Sequence, residues 1–193
     1  GYFTMTLPVA GAVIYGAKVR RMIIEFLVAL ALAIGGGIAV AWAAAWSQGI
    51  TLADYTAGPR SLFATFSTLV LVILFIAWIV SCLALILQVC AVRSLAAEGR
   101  FNHMGFGAVA IGLVLLYIVD QVLSGIGTFF MPFSMTPDGQ FSTEVMWTSY
   151  RATLGTDGYP NVWGMGACIL VPLFALFLAV CASRSIEKRT SLR

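Results

Sequence analysis

Residues Leu69–Val92 read LVLVILFIAWIVSCLALILQVCAV, a run of 24 residues without a charge. Its first part, Leu69–Ile76, is apolar at every position, so no face is left for water. In hydrocarbon each backbone N–H and C=O must be paired inside its own segment, and a continuous apolar run meets that demand as an α-helix. About 20 mainly apolar residues cross the ~30 Å core of a bilayer. Strands of a membrane barrel alternate polar and apolar residues over about ten positions, and this run does not alternate.

The same ruler applies along the rest of the chain. There are 28 uncharged residues between Glu25 and Asp54, 32 between Arg60 and Arg93, and 26 between Asp157 and Arg184. From Arg100 to Asp138 the only charge is Asp120. The fold class expected is therefore an all-α integral membrane protein, a single domain with four transmembrane helices in a bundle. The spans fall at approximately 22–46, 62–95, 103–131 and 162–183, with 132–161 as a loop of 30 residues between the third and fourth. Residues 1–21 read as an interfacial, loosely docked segment, because Pro8, Gly11 and Gly16 interrupt an already short apolar stretch.

Composition agrees. The 193 residues are 61% hydrophobic and 10% charged, with a mean hydropathy of +0.98. Soluble domains carry about 25% charged residues. These values argue against a soluble enzyme, a disordered chain, a coiled coil and a nucleic-acid binder.

Basic residues set the orientation. With four spans, one side holds Lys18, Arg20, Arg21, Arg93, Arg100, Arg184, Lys188, Arg189 and Arg193, and the other holds Arg60 and Arg151. Nine against two places both termini inside by the positive-inside rule. The formal charge of +3 thus reflects topology. The Ala-, Gly- and Val-rich spans suit a bacterial inner membrane, with the mitochondrial inner membrane as the other setting.

Within the spans, Gly35, Ala39 and Ala43 recur every four residues, as do Ala108 and Gly112. Small-residue stripes let helix backbones approach closely, and such packing drives helix association in lipid. Packing inside the chain is the preferred reading for the first stripe, and a seam for a partner subunit is the alternative. Gly35-Gly36-Gly37 is expected to loosen the helix locally. Trp42 and Trp46 suit an interfacial aromatic belt.

Span three carries a polar stripe: Tyr117, Asp120, Gln121, Ser124 and Thr128 share one helix side. An ionised carboxylate in a span costs about 2.5–3.5 kcal/mol on insertion scales. Asp120 is therefore expected to carry a proton and donate it to a carbonyl, the one at Cys168 that Pro172 frees being the candidate. One functional reading is a proton or ion relay through Glu25, Gln88 and Asp120. The preferred reading is an interhelical clasp or docking contact.

The long loop carries turn signals. Pro137-Asp138-Gly139 predicts a short hairpin between Met135 and Phe141. Ser142 is expected to cap a helix over 143–154 that ends before Gly155, with Met146, Tyr150 and Leu154 on one face.

Other chemistry is thinly supplied. The single histidine, His103, cannot give the paired axial ligands of a four-helix cytochrome, and it reads as an interfacial residue at a helix start. Cys82, Cys90, Cys168 and Cys181 lie in spans without a CxxC pair, which disfavours thiol exchange. No phosphate-cradling Gly-rich loop precedes a Lys. No cofactor and no catalytic set is expected. The function expected is that of a non-catalytic accessory or scaffolding subunit in a larger membrane complex. Its partners would be other membrane-protein subunits in the bilayer, or further copies of itself. The alternative is a small oligomeric proton- or cation-coupled transporter or channel that uses Asp120.

Overall fold

The computed structural model describes residues 10–64, 66–98, 101, 104–136, 138–155 and 158–189. The expectations for His103, Pro137, Arg100 and Arg193 and for all of segment 1–9 lie outside the described residues. Among the described residues, four helices are long and apolar enough to cross a membrane, the pattern of a multi-pass membrane protein. They are α1 (Gly11–Ser47), α4 (Thr68–Ala96), α5 (Phe106–Phe130) and α7 (Ala167–Arg189). Two short helices, α2 (Leu52–Tyr55) and α3 (Ala57–Ala64), join α1 to α4.

The first helix departs from expectation at its start. It begins at Gly11 and runs unbroken for 37 residues, about 55 Å, through Gly16 and through Gly35–Gly37. A lone glycine in a helix costs only about 1 kcal/mol against alanine, too little to break a run this long and apolar. Gly11 lies so close to α7 that a Cβ would overlap the Ser183 carbonyl oxygen. Tyr15 is buried, and its hydroxyl donates to the Leu87 carbonyl at 2.7 Å. Residues 11–21 are thus a packed helix rather than a loosely docked segment.

The second span also starts later than composition suggests. The apolar stretch from Leu62 divides at Ser67, whose extended backbone and hydroxyl cap α4 by accepting from the Val70 N–H. Gly58-Pro59 sits in the first turn of α3, where the N–H that proline lacks has no helical partner to lose.

The main apolar core gathers the first half of α1 and the second halves of α4 and α7. Tyr15, Ile86, Cys90, Ala91, Ala182 and Ile186 form it, flanked by Met22, Phe26 and Leu178. The most extensive helix pairing is α4 with α7. Beyond this core α1 stands apart, and every residue from Ala31 to Val40 is exposed.

Between α5 and α7 the chain builds a small antiparallel sheet in the order β2-β1-β3. Its strands are β1 (Ser134–Met135), β2 (Phe141–Ser142) and β3 (Trp163–Gly164). The expected hairpin is β1–β2, with Ser134 opposite Ser142 and Met135 opposite Phe141. Gly139 at its tip has φ +82° and lies on Val70, where a Cβ would overlap the valine side chain. The third strand pairs Ser134 with Gly164 and was not foreseen, because two residues carry no periodicity. It also delays the last span, which begins at Ala167 rather than Val162.

The loop helix, α6 (Met146–Thr153), is shorter than its sequence signals. Ser142 belongs to β2, and its hydroxyl accepts from the Glu144 N–H instead of capping the helix. Trp147 and Tyr150 of α6 pack edge-on against Phe129 at the end of α5. Ser134, fully buried, holds the approach to α6 by donating to the Glu144 and Ser142 carbonyls at 2.7 and 3.0 Å. Replacing Ser134 with Ala is expected to cost about 1 kcal/mol and to raise the rate of proteolysis within 136–160, followed by mass spectrometry of the cleavage products.

Candidate functional site

The polar stripe of the third span lies on α5, where that helix crosses α4. Gln88 on α4 is 1% exposed, and its amide donates to Asp120 Oδ1 at 2.8 Å. Asp120 and Ser124, four residues apart, are partly buried, whereas Tyr117 and Gln121 are exposed. The stripe thus straddles the edge of the contact instead of lining an interior channel.

The acid's partner is not the Cys168 carbonyl. Pro172 is the sixth residue of α7, so Cys168 sits in that helix's first turn. The first turn meets α5 at Gly127, where a Cβ would stand 2.6 Å from the Ala167 nitrogen. Asp120 is seven residues from Gly127, about 10 Å along the helix. The two groups are at different depths, and the carboxylate instead accepts from Gln88.

Nor does the structure join Glu25 to this pair. Glu25 is exposed on α1 and bound to Arg21, with Oε1 2.8 Å from Nε. It borders the same cleft as Cys90. Positions 88 and 90 of a helix point about 200° apart. Gln88 therefore faces α5 while Cys90 faces α1, and a route from Glu25 to Asp120 would have to pass through α4.

The two small-residue stripes meet different fates. Gly112 touches α4, where a Cβ would be 2.7 Å from a Val92 methyl, and Ala108 is buried one turn away. They line an apolar cleft of about 370 Å³ between α4, α5 and α7. Gly35, Ala39 and Ala43 are exposed, and a Cβ on Gly35 would meet nothing within 4 Å. Among the described residues, none packs closely on Gly35. Trp42 and Trp46, edge to face at 5.2 Å, are exposed at the end of the same helix.

Two polar contacts escaped sequence reasoning. Lys18 Nζ donates to the buried Ser94 hydroxyl at 3.1 Å, tying α1 to α4. Ser185 on α7 donates to Glu98 Oε1 at 2.5 Å, and both are buried. Glu98 reads in sequence as one charge of an exposed turn, and nothing local signals its burial. Among the described residues, no group of three His, Cys, Asp or Glu side chains comes together as metal ligands. No protein-family model, no curated protein and no solved structure matches the chain.

Proposed function

We propose that this chain is a non-catalytic accessory subunit that docks other membrane-protein subunits through the free half of α1 and the loop that carries the sheet. The carrying observation is the contrast within one helix. The first half of α1 packs against α4 and α7, while the second half presents a small-residue face with no counterpart among the described residues. In lipid, helix association comes from close van der Waals packing, and Gly35, Ala39 and Ala43 offer a surface a partner helix can approach closely. The exposed Trp42, Trp46, Phe141 and Trp163 extend apolar surface toward the loops. The basic residues support an orientation with both termini cytoplasmic, and a bacterial plasma membrane suits the composition.

Native mass spectrometry after gentle detergent extraction tests this reading. Stoichiometric membrane subunits are expected to co-purify with the wild-type chain and to be lost with Gly35→Leu/Ala39→Leu. That variant should fold normally, because the face it changes is exposed among the described residues. Symmetric self-assembly through this face would make the partner a second copy. A lone chain in mild detergent would overturn the reading.

A second reading, a small oligomeric proton- or cation-coupled transporter, draws on Asp120 with Tyr117 and Gln121 exposed beside it. Flux in liposomes that disappears with Asp120→Asn, while assembly stays normal, would favour it. Unchanged assembly without any flux would favour the docking subunit.

A further inference from the structure

At the end of α1 nearest the amino terminus, Lys18, Arg21 and Glu25 share one helix side with Met22. Across from them α4 contributes Cys90 and Arg93. Together the six residues border a cleft of about 400 Å³. Met22 and Cys90 close its floor, their sulfurs 3.6 Å apart. Three cations against one carboxylate leave the rim with a net charge of +2. Arg21 is already bound to Glu25, and Lys18 rests on Ser94. These contacts fix the stems and leave guanidinium and ammonium N–H groups for a further acceptor.

The cleft opens onto an apolar gap. By helical spacing, the strip through Met22 and Phe26 continues on α1 to Leu30 and Ile34, and the strip through Cys90 and Ile86 continues on α4 to Leu83 and Ile79. The lower members of both strips belong to the core, whereas Ile34, Leu83 and Ile79 are exposed. The two helices are packed beside the cations and unpacked beyond them. The complementary ligand has an anionic head and long apolar tails.

We infer that this cleft is a binding site for an anionic phospholipid, its phosphate on Arg21, Arg93 and Lys18 and its acyl chains in the gap between α1 and α4. The basic side chains flank the long uncharged runs 26–53, which begins within α1, and 61–92, ahead of Arg93, the depth of a lipid phosphate. Arginine suits the phosphate because its planar fork presents paired donors. Basic pockets between helix ends recognise anionic head groups in this way. The lipid would also cover the gap without a protein partner, so the inference stands apart from the docking role.

The test uses the full chain in phosphatidylcholine bilayers containing spin-labelled phosphatidylglycerol or spin-labelled phosphatidylcholine. Electron paramagnetic resonance measures the motionally restricted fraction of each. The wild-type chain should restrict phosphatidylglycerol preferentially, and 0.5 M salt should weaken that preference. Arg21→Gln/Arg93→Gln keeps the Lys18–Ser94 contact, and it should lower the preference about tenfold or more, from about fivefold per basic residue. Arg60→Gln/Arg151→Gln removes the same charge at the opposite end and should leave the preference unchanged. Equal losses in the two variants, or no loss in the first, would overturn the site. Full competition by millimolar inorganic phosphate would assign the cations to a free anion and overturn the lipid.

Discussion

Alanine at Gly127 or Gly166 is expected to destabilise the protein by about 3 kcal/mol, the upper part of the range for overpacking. Three glycines bring the end of α5 against the start of α7 backbone to backbone. A Cβ on Gly127 would stand 2.6 Å from the Ala167 nitrogen and 2.8 Å from the Gly166 carbonyl carbon. One on Gly166 would overlap the Gly127 carbonyl oxygen, and one on Gly164 the Thr128 carbonyl oxygen. The nearest obstacles are main-chain atoms of α5, of α7 and of the turn before α7, so no rotamer change relieves them. Moving the helices apart would also strain β3, which leads directly into α7. For a chain of this size the expected fall in Tm is about 6–12 °C, read by tryptophan fluorescence during a thermal ramp in detergent. Gly36→Ala is the control. It meets nothing within 4 Å and should hold or raise Tm, because alanine is the better helix former by up to about 1 kcal/mol. An equal fall in both variants would mean that the close crossing is not what these glycines provide.

The second large effect concerns the buried amide and the acid. Gln88→Leu removes the donor to Asp120 and leaves a carboxyl group without that partner inside a span. Removing one partner of a buried polar pair costs about 1–3 kcal/mol, and more where the survivor is charged. Asp120→Asn keeps an acceptor oxygen in place and should cost much less. Gln88→Leu/Asp120→Leu removes both polar groups and should cost less than the sum of Gln88→Leu and Asp120→Leu made singly. The coupling energy from this cycle is expected near the membrane average of about 0.6 kcal/mol, with about 1.7 as the upper end. Reversible unfolding in mixed micelles measures it. Additive single and double variants would show that the Gln88–Asp120 bond does not hold α4 to α5.

Much of this fold is legible in the sequence because a bilayer narrows the choices. The run at 69–92 specifies a helix by being apolar on every face. The spacing of charges then gives four spans and, through the clustered arginines and lysines, a preferred orientation. Asp120 is conspicuous for the same reason, as a lone acid among apolar residues. The hairpin at 134–142 can be read from Gly139, where the turn requires φ +82°. Signals of this kind depend on one residue or on one segment's own environment.

Other features depend on contacts between segments far apart in the chain. Gln88 reads as a relay stop between Glu25 and Asp120 until α5 brings Asp120 to 2.8 Å from it, apart from Glu25. Ser142 resembles a helix cap until its pairing with Ser134 makes it part of a strand. Gly11 and Gly16 resemble helix breakers until α7 and the core pack against that first stretch. Gly35, Ala39 and Ala43 form the same pattern as Ala108 and Gly112, yet the first set faces outward and the second packs on α4. The sequence by itself determined the number of long apolar helices and the residues that would be costly in lipid, because solvation acts on each segment separately. Only the tertiary structure decided which small residues are packed, what Asp120 binds and where α1 leaves its neighbours, because those depend on which helix faces are brought together.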